Sequence, residues 1–213
     1  MYHYKTIFAA ICIFFSTLLH AQQDELQIVE VRTDIYEITY SQAYQQPLTV
    51  SYTIFCKPES PVYDRRGIRF KSVDGLKTSS SSDYSDNVWD KGHMAPANTF
   101  ACTEEWLNET FSYANCALQH QGLNRGAWAT LERFERNLAG LYDEVHVDIM
   151  IFFSNRWTNN SDPARIPSSF VKSITWTENG KERTISFDFP NKDTTGKSFW
   201  AFKLKDGDWD GKE

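Results

Sequence analysis

An α+β fold, with mixed or antiparallel sheet layers around one long central helix, is predicted by three features of the sequence. Apolar Ala127, Leu131, Phe134 and Leu138 recur at helical spacing within residues 126–141. Residues 145–153 form a nearly continuous apolar and β-branched run, the pattern of a central strand buried on both faces. Further runs of strand-forming residues lie before and after the helix, so strands flank it on both sides in the chain.

The chain has 213 residues, 41% hydrophobic and 15% aromatic, enough for one domain with a sizeable core. Residues 1–21 carry one charged residue, Lys5, then an apolar stretch over 7–19 and Leu19-His20-Ala21. That is the pattern of a secretory signal peptide cleaved after Ala21, followed by a single domain over 22–213, with a secreted or periplasmic destination. About 13 apolar residues fall short of the roughly 20 that a spanning helix needs, so no stable membrane insertion is expected. Loss of Lys5 takes the formal charge from −6 to −7. An acidic balance argues against a binder that works by neutralising many phosphates, although a bound divalent cation or a local basic stripe can coexist with it.

Residues 22–34 are polar and read as a short leader, and 35–40 and 48–55 as the first strands. A turn follows at 58–61, then a basic segment over 64–71 with Arg65, Arg66, Arg69 and Lys71, which by itself is equally a solvated loop. The Ser-rich stretch 78–86 reads as an exposed loop. The helix over 126–141 turns Arg133, Glu135 and Arg136 toward other faces and ends near Gly140, and 184–189 and 198–204 supply two more strands. Cys12 leaves with the signal segment. Of Cys56, Cys102 and Cys116, at most one pair forms; Cys102 with Cys116 is preferred because both flank the motif region, with three buried thiols as the alternative. The segment Asp206-Gly207-Asp208-Trp209-Asp210-Gly211 matches the start of a calcium loop, but its twelfth position falls past Glu213, so it reads as an acidic tail.

Two segments carry chemistry. In Trp89-Asp90-Lys91-Gly92-His93-Met94-Ala95-Pro96-Ala97, a histidine is held between a glycine and a proline-bounded turn. A single loop histidine is more often structural than reactive, and the second segment changes that balance. It runs from Phe111 through Asn115, Gln119, Gln121, Asn124 and Arg125 into the helix, so amides cluster at the helix start. Glu132 follows Asn124 by eight residues, a net rotation of about 80°, and its side chain leans back toward the N-terminus. It can therefore reach the water shell of an ion held by Asn124. Without an ion, Asn124 is a helix cap and Glu132 a solvated residue.

These segments resemble the DNA/RNA non-specific endonuclease family, the ββα-metal (His-Me finger) nucleases. That family's motif is Asp-Arg-Gly-His followed by a helix with an Asn metal ligand and a downstream Glu. The resemblance is close over residues 89–138 and looser at 166–170 and 187–191. It implies a ββα-metal core with His93 as general base, Asn124 as ligand to Mg²⁺ or Mn²⁺, Glu132 orienting the ion's hydration water and Asn115 positioning the histidine. It places Lys91 and Arg125 against substrate, makes Asp90 structural, and implies DNA and RNA as substrates cut without sequence preference. The chemistry suits these residue types: a near-neutral imidazole can take a proton from water, and a hard cation answers charge on phosphate.

Three departures stand out. Lys91 replaces the motif's arginine and loses its bidentate fork. Ser154-Asn155 stands where many members have a Gly-Pro turn. The arginine that some members aim at the phosphate has candidates in Arg125, Arg69 and Arg66. A secreted phosphodiesterase for small nucleotides and an inactive binding module are the alternatives, and no sequence pattern assigns an oligomeric state.

Overall fold

A computed structural model describes residues 26–205; the signal segment 1–21 and the acidic tail 206–211 lie outside these residues. The elements run β1 (Ile28–Arg32), β2 (Glu37–Ser41), β3 (Gln46–Thr53), β4 (Trp89–His93), α1 (Glu104–Thr110), β5 (Cys116–His120), α2 (Ala129–Ala139), β6 (Val145–Trp157), β7 (Arg165–Glu178) and β8 (Lys181–Pro190). The strands form a six-stranded sheet ordered β1-β2-β3-β6-β7-β8 and a separate β4-β5 hairpin, with antiparallel neighbours throughout. The fold is thus α+β, with antiparallel sheets and one long helix.

Alternation explains the large sheet. Val50 and Tyr52, then Val147, Ile149 and Ile151, then Phe170 and Ile174, then Phe187 and Phe189 fall on one buried face. Leu131 and Leu138 of α2 join that core, and Trp128, just before the helix, packs on Phe170 and Phe189 at 5.5 and 5.6 Å between ring centroids. Burial of each such side chain stabilises by roughly 1.5–3 kcal/mol, so this layer holds the helix on the sheet. The hairpin is tied to the same sheet by two buried amides. Gln46 Oε1 accepts from the Leu118 amide at 2.9 Å; Asn191 Oδ1 accepts from the His120 amide, and its Nδ2 donates to the carbonyls of Leu118 and Pro167.

Several expectations change. The leader expected over 22–34 contains β1, which pairs with β2 through backbone groups that a polar composition does not reveal. Residues 145–153 are a strand, but it runs on to Trp157, through Ser154-Asn155, and buries only alternate side chains. His146 and Asp148 face away from the core, because an antiparallel sheet covered on one side leaves the other solvated. The strand β7 was not foreseen; its Pro167, Ser168, Ser169 and Lys172 interrupt the strand signal. Residues 184–189 are strand within the longer β8.

Residues 198–204 are no strand: Phe199–Phe202 form a 3₁₀ turn, and Phe199 packs on Phe134 and Phe187. The Ser-rich loop is anchored, since buried Asp83 accepts from Thr158, Asn160 and the Ala164 amide.

The helix begins at Ala129 rather than Gly126, after a wide turn over Asn124–Trp128 in which Gly126 adopts φ −108°, ψ −108°. Glu135, expected on an outer face, is fully buried and ion-paired to Lys172. The disulfide joins Cys56 to Cys102, not Cys102 to Cys116. Cys116 lies inside the hairpin, fully buried, with its sulfur 3.2 Å from the Tyr84 hydroxyl, and burial pushes its thiol up to about 12.

Candidate active site

The hairpin delivers His93. Residue 92 must be glycine, because a Cβ there would collide with the Gln119 side chain on β5. His93 ends β4 opposite Cys116, and its ring packs against Phe70 and Phe111 at 4.8 and 4.9 Å between centroids. Burial, together with the nearby Arg65 cation, lowers the imidazole from its ordinary 6.5 to about 3, so the ring is neutral at pH 7. Its Nε2 is buried without a hydrogen-bond partner among the described residues. An unsatisfied buried ring nitrogen costs on the order of 1–3 kcal/mol, a penalty that marks the position for function rather than packing.

Asn115 locks the segment after the histidine. Its Oδ1 accepts from the Ala95 amide at 2.8 Å, and its Nδ2 donates to the carbonyls of Ala95 and Thr110, both at 2.9 Å. Its own carbonyl accepts from Met94. The side chain is fully buried and fully engaged, so it holds backbone and is closed to substrate.

Asp90 ties the hairpin to the helix start. Asn124 Nδ2 donates to Asp90 Oδ2 at 2.9 Å, while the Arg125 guanidinium closes on both carboxylate oxygens, Nε to Oδ2 at 2.8 Å and Nη2 to Oδ1 at 2.6 Å. Burial would raise the Asp90 carboxyl, but these hydrogen bonds outweigh it and hold it below the usual carboxylate range. Three residues of strand separate Asp90 from His93, about 10 Å. The pleat sends Lys91 and His93 to the face of Phe70, and Asp90 and Gly92 to the face of Gln119 and the Asn124 turn. No hydrogen bond joins His93 directly to Asn124 or Glu132 among the described residues. Replacing Asp90 with alanine should free the Asn124–Trp128 turn from the hairpin, read as faster amide hydrogen exchange across residues 124–128.

Glu132 stands on the buried side of α2, where desolvation raises its carboxyl to about 7 against the pull of Lys172 and Arg136. Lys91 sits in an aromatic cage, its ammonium 5.6–5.7 Å from the ring centroids of Phe70, Tyr84 and Tyr113. Of the predicted substrate contacts, Arg125 is the more exposed, although its fork is engaged by Asp90. Two cations were missed as site residues. Arg65 lies beside His93 and over the Phe111 ring at 5.9 Å, and Arg136 lies beside Glu132. The basic run at 64–71 signalled Arg65 only as one of several arginines, and the four-residue spacing from Glu132 was the available sign for Arg136.

The chain matches the family model of DNA/RNA non-specific endonucleases over residues 22–209. It is 39% identical to Nuclease C1 of Cunninghamella echinulata var. echinulata over 88 residues, which are 39% of this chain and 35% of that protein. It is 33% identical to mitochondrial Endonuclease G of Homo sapiens over 87 residues, 39% of this chain and 29% of that protein. It is 30% identical to mitochondrial Nuclease EXOG of Danio rerio over 113 residues, 52% and 33% of the two chains. These matches thus span 29% to 35% of the relatives' own length. The solved EndoG/EndoGI complex superposes with a TM-score of 0.73 at 24% identity, covering 83% of this chain and 80% of that one, a likeness of fold. By sequence across nearly all of its length outside the first 21 residues, the chain belongs to the DNA/RNA non-specific endonuclease family.

Proposed function

We propose that this chain is a secreted, metal-dependent endonuclease that hydrolyses phosphodiester bonds of DNA and RNA without sequence preference. The observation that carries this reading is His93 itself, a neutral imidazole at the end of β4 whose buried Nε2 has no hydrogen-bond partner among the described residues. The donor set suits a hard cation. With Nδ2 of Asn124 committed to Asp90, its Oδ1 is the free end of the amide and makes no hydrogen bond among the described residues. One amide oxygen, with the carboxylate of Glu132 on the helix that follows the Asn124 turn, matches the way Mg²⁺ is held, with most of its waters kept. When bound, Mg²⁺ or Mn²⁺ supplies positive charge at the scissile phosphate.

Neutral His93 takes the proton from the attacking water, using a ring nitrogen that no protein donor occupies. Glu132 orients water at the ion, and Asn115 fixes the backbone from which the imidazole projects. Arg65, placed beside His93, faces the phosphate, and the outer edge of Arg125 contacts the chain of the nucleic acid. Contacts of this kind read phosphate rather than base edges, which accounts for both sugars and any sequence. Export through residues 1–21 belongs to the same reading and is supported by the Cys56–Cys102 disulfide, which needs an oxidising compartment.

The test is nicking of supercoiled circular DNA and release of acid-soluble nucleotides from RNA, with Mg²⁺ and with EDTA. Cleavage of both that EDTA stops is expected. Intact circular DNA alongside hydrolysis of a small bis-ester would establish a small-nucleotide phosphodiesterase instead; binding without cleavage in Mg²⁺ and Mn²⁺ would establish a binding module.

A further inference from the structure

The open end of the β4-β5 hairpin lies away from His93. Trp89 and His120 pair across the strands there, whereas His93 pairs with Cys116 at the other end, about 13 Å along β4. Beside the open end is a cavity of about 350 Å³ lined by His120, Gly122, Arg125, Gly126, Asp193 and Thr195. Its donors are unspent. The Gly122 amide donates to His120 Nδ1 at 3.1 Å, which leaves the proton of the neutral ring on Nε2, and that N–H meets no acceptor among the described residues. Arg125 gives Nε and Nη2 to Asp90, and its Nη1 makes no hydrogen bond among the described residues.

Two carboxylates stand beside these donors, and both are engaged. Asp90 is held by Asn124 and Arg125, and Asp193 Oδ1 accepts from the amide and hydroxyl of Thr195 at 2.9 and 2.7 Å. The cationic edge continues past the hairpin. Trp89 packs edge-on against the His120 ring at 5.8 Å between centroids, and exposed Arg156 of β6 lays its guanidinium 5.7 Å from the Trp89 centroid. On a chain of net charge −6, an edge of two arginines, a histidine N–H and an aromatic face has the composition that binds a polyanionic strand, backbone on the donors and bases on the ring.

We propose that this cavity and the Arg156–Trp89 pair form a second nucleic-acid subsite, which takes the phosphodiester backbone of the strand beyond the bond cut at His93. The subsite extends the nuclease reading above and rests on it for where the strand is cut. A strand that reacts at His93 fills the cavity by running the length of the hairpin, so long substrates reach it and a small bis-ester does not.

Two variants test the subsite without opening the core. His120→Asn keeps an acceptor for the Gly122 amide and removes the Nε2 donor; Arg156→Gln removes an exposed charge. The substrates are a long oligothymidylate and bis(p-nitrophenyl) phosphate, and binding of the oligomer is read separately by fluorescence anisotropy in EDTA. Each variant should raise KM for the oligomer, and its Kd in EDTA, by about two- to tenfold with little change in kcat, the worth of one hydrogen bond, while hydrolysis of the bis-ester moves far less. In Arg156→Gln the slope of log affinity against log salt should also become shallower by about 0.7. Unchanged KM and Kd in both variants overturn the subsite, and so does an equal loss on both substrates, which would place these side chains at the reacting centre or in the fold. If His120→Asn loses its cooperative urea transition, Arg156→Gln alone decides. Should the parent bind the oligomer and cut nothing, weaker binding by the variants keeps the subsite while the nuclease reading fails. Cleavage by a parent whose variants match it leaves that reading intact and removes the subsite.

Discussion

Replacing His93 with alanine is expected to lower kcat for phosphodiester cleavage by about 10²- to 10⁴-fold, the usual contribution of a positioned general base. The same variant should keep a cooperative fold at pH 7, since the cavity it leaves between Phe70 and Phe111 is offset by removal of an unpaired buried nitrogen. Acid should separate the two proteins. The native imidazole titrates near 3, whereas in the unfolded chain it titrates near its ordinary 6.5. Between these values the unfolded chain takes up a proton that the native chain refuses, so stability falls as pH drops through that window and is unaffected above it. The alanine variant lacks this contribution, so its urea midpoint should decline less than the parent's between about pH 7 and pH 4. A variant that nicks circular DNA at the parent rate would remove His93 from the chemistry. Identical declines in both proteins would show a ring that protonates freely in the fold.

The second large effect falls on stability. Asn115→Ala would strand the Ala95 amide and the carbonyls of Ala95 and Thr110, three buried backbone groups, at about 1–3 kcal/mol each. The sum, on the order of 3–9 kcal/mol, rivals the whole stability of an ordinary domain, so loss of the cooperative urea transition at 37 °C is expected. Asn115→Asp keeps the acceptor but not the donor and should fall between the two. A fully stable alanine variant would mean that the segment after His93 is held by something other than this amide.

The candidate site residues are singled out by local marks in the sequence: Gly92 before His93, a proline soon after it, and amides ahead of an amphipathic helix. Spacing puts Asn124 and Glu132 on one helix side, but the turn over Asn124–Trp128, with Gly126 outside helical φ/ψ, interrupts the helix between them, so that rotation does not carry over. The strand over 145–153 was legible as an apolar, β-branched run, though not its burial on one face alone, and the helix as a run of helical period. Strand β7 was not, because Pro167 and Lys172 break the apolar pattern that its neighbours complete in space. Nor were Arg65 beside His93 and Arg136 beside Glu132, since each arginine's place is set by what the fold brings near it rather than by its sequence neighbours.

By itself the sequence determined the α+β class, the helix that follows Asn124 and the acidic balance of the chain, and it marked His93 without the β4-β5 hairpin that carries it. Tertiary structure alone decided that Cys102 meets Cys56, that Glu135 turns inward to Lys172, that Lys91 is ringed by aromatics and that Asp90 joins strand to helix. Pairings of this second kind form between residues tens of positions apart. Their energies depend on burial and distance, and only the folded chain sets those.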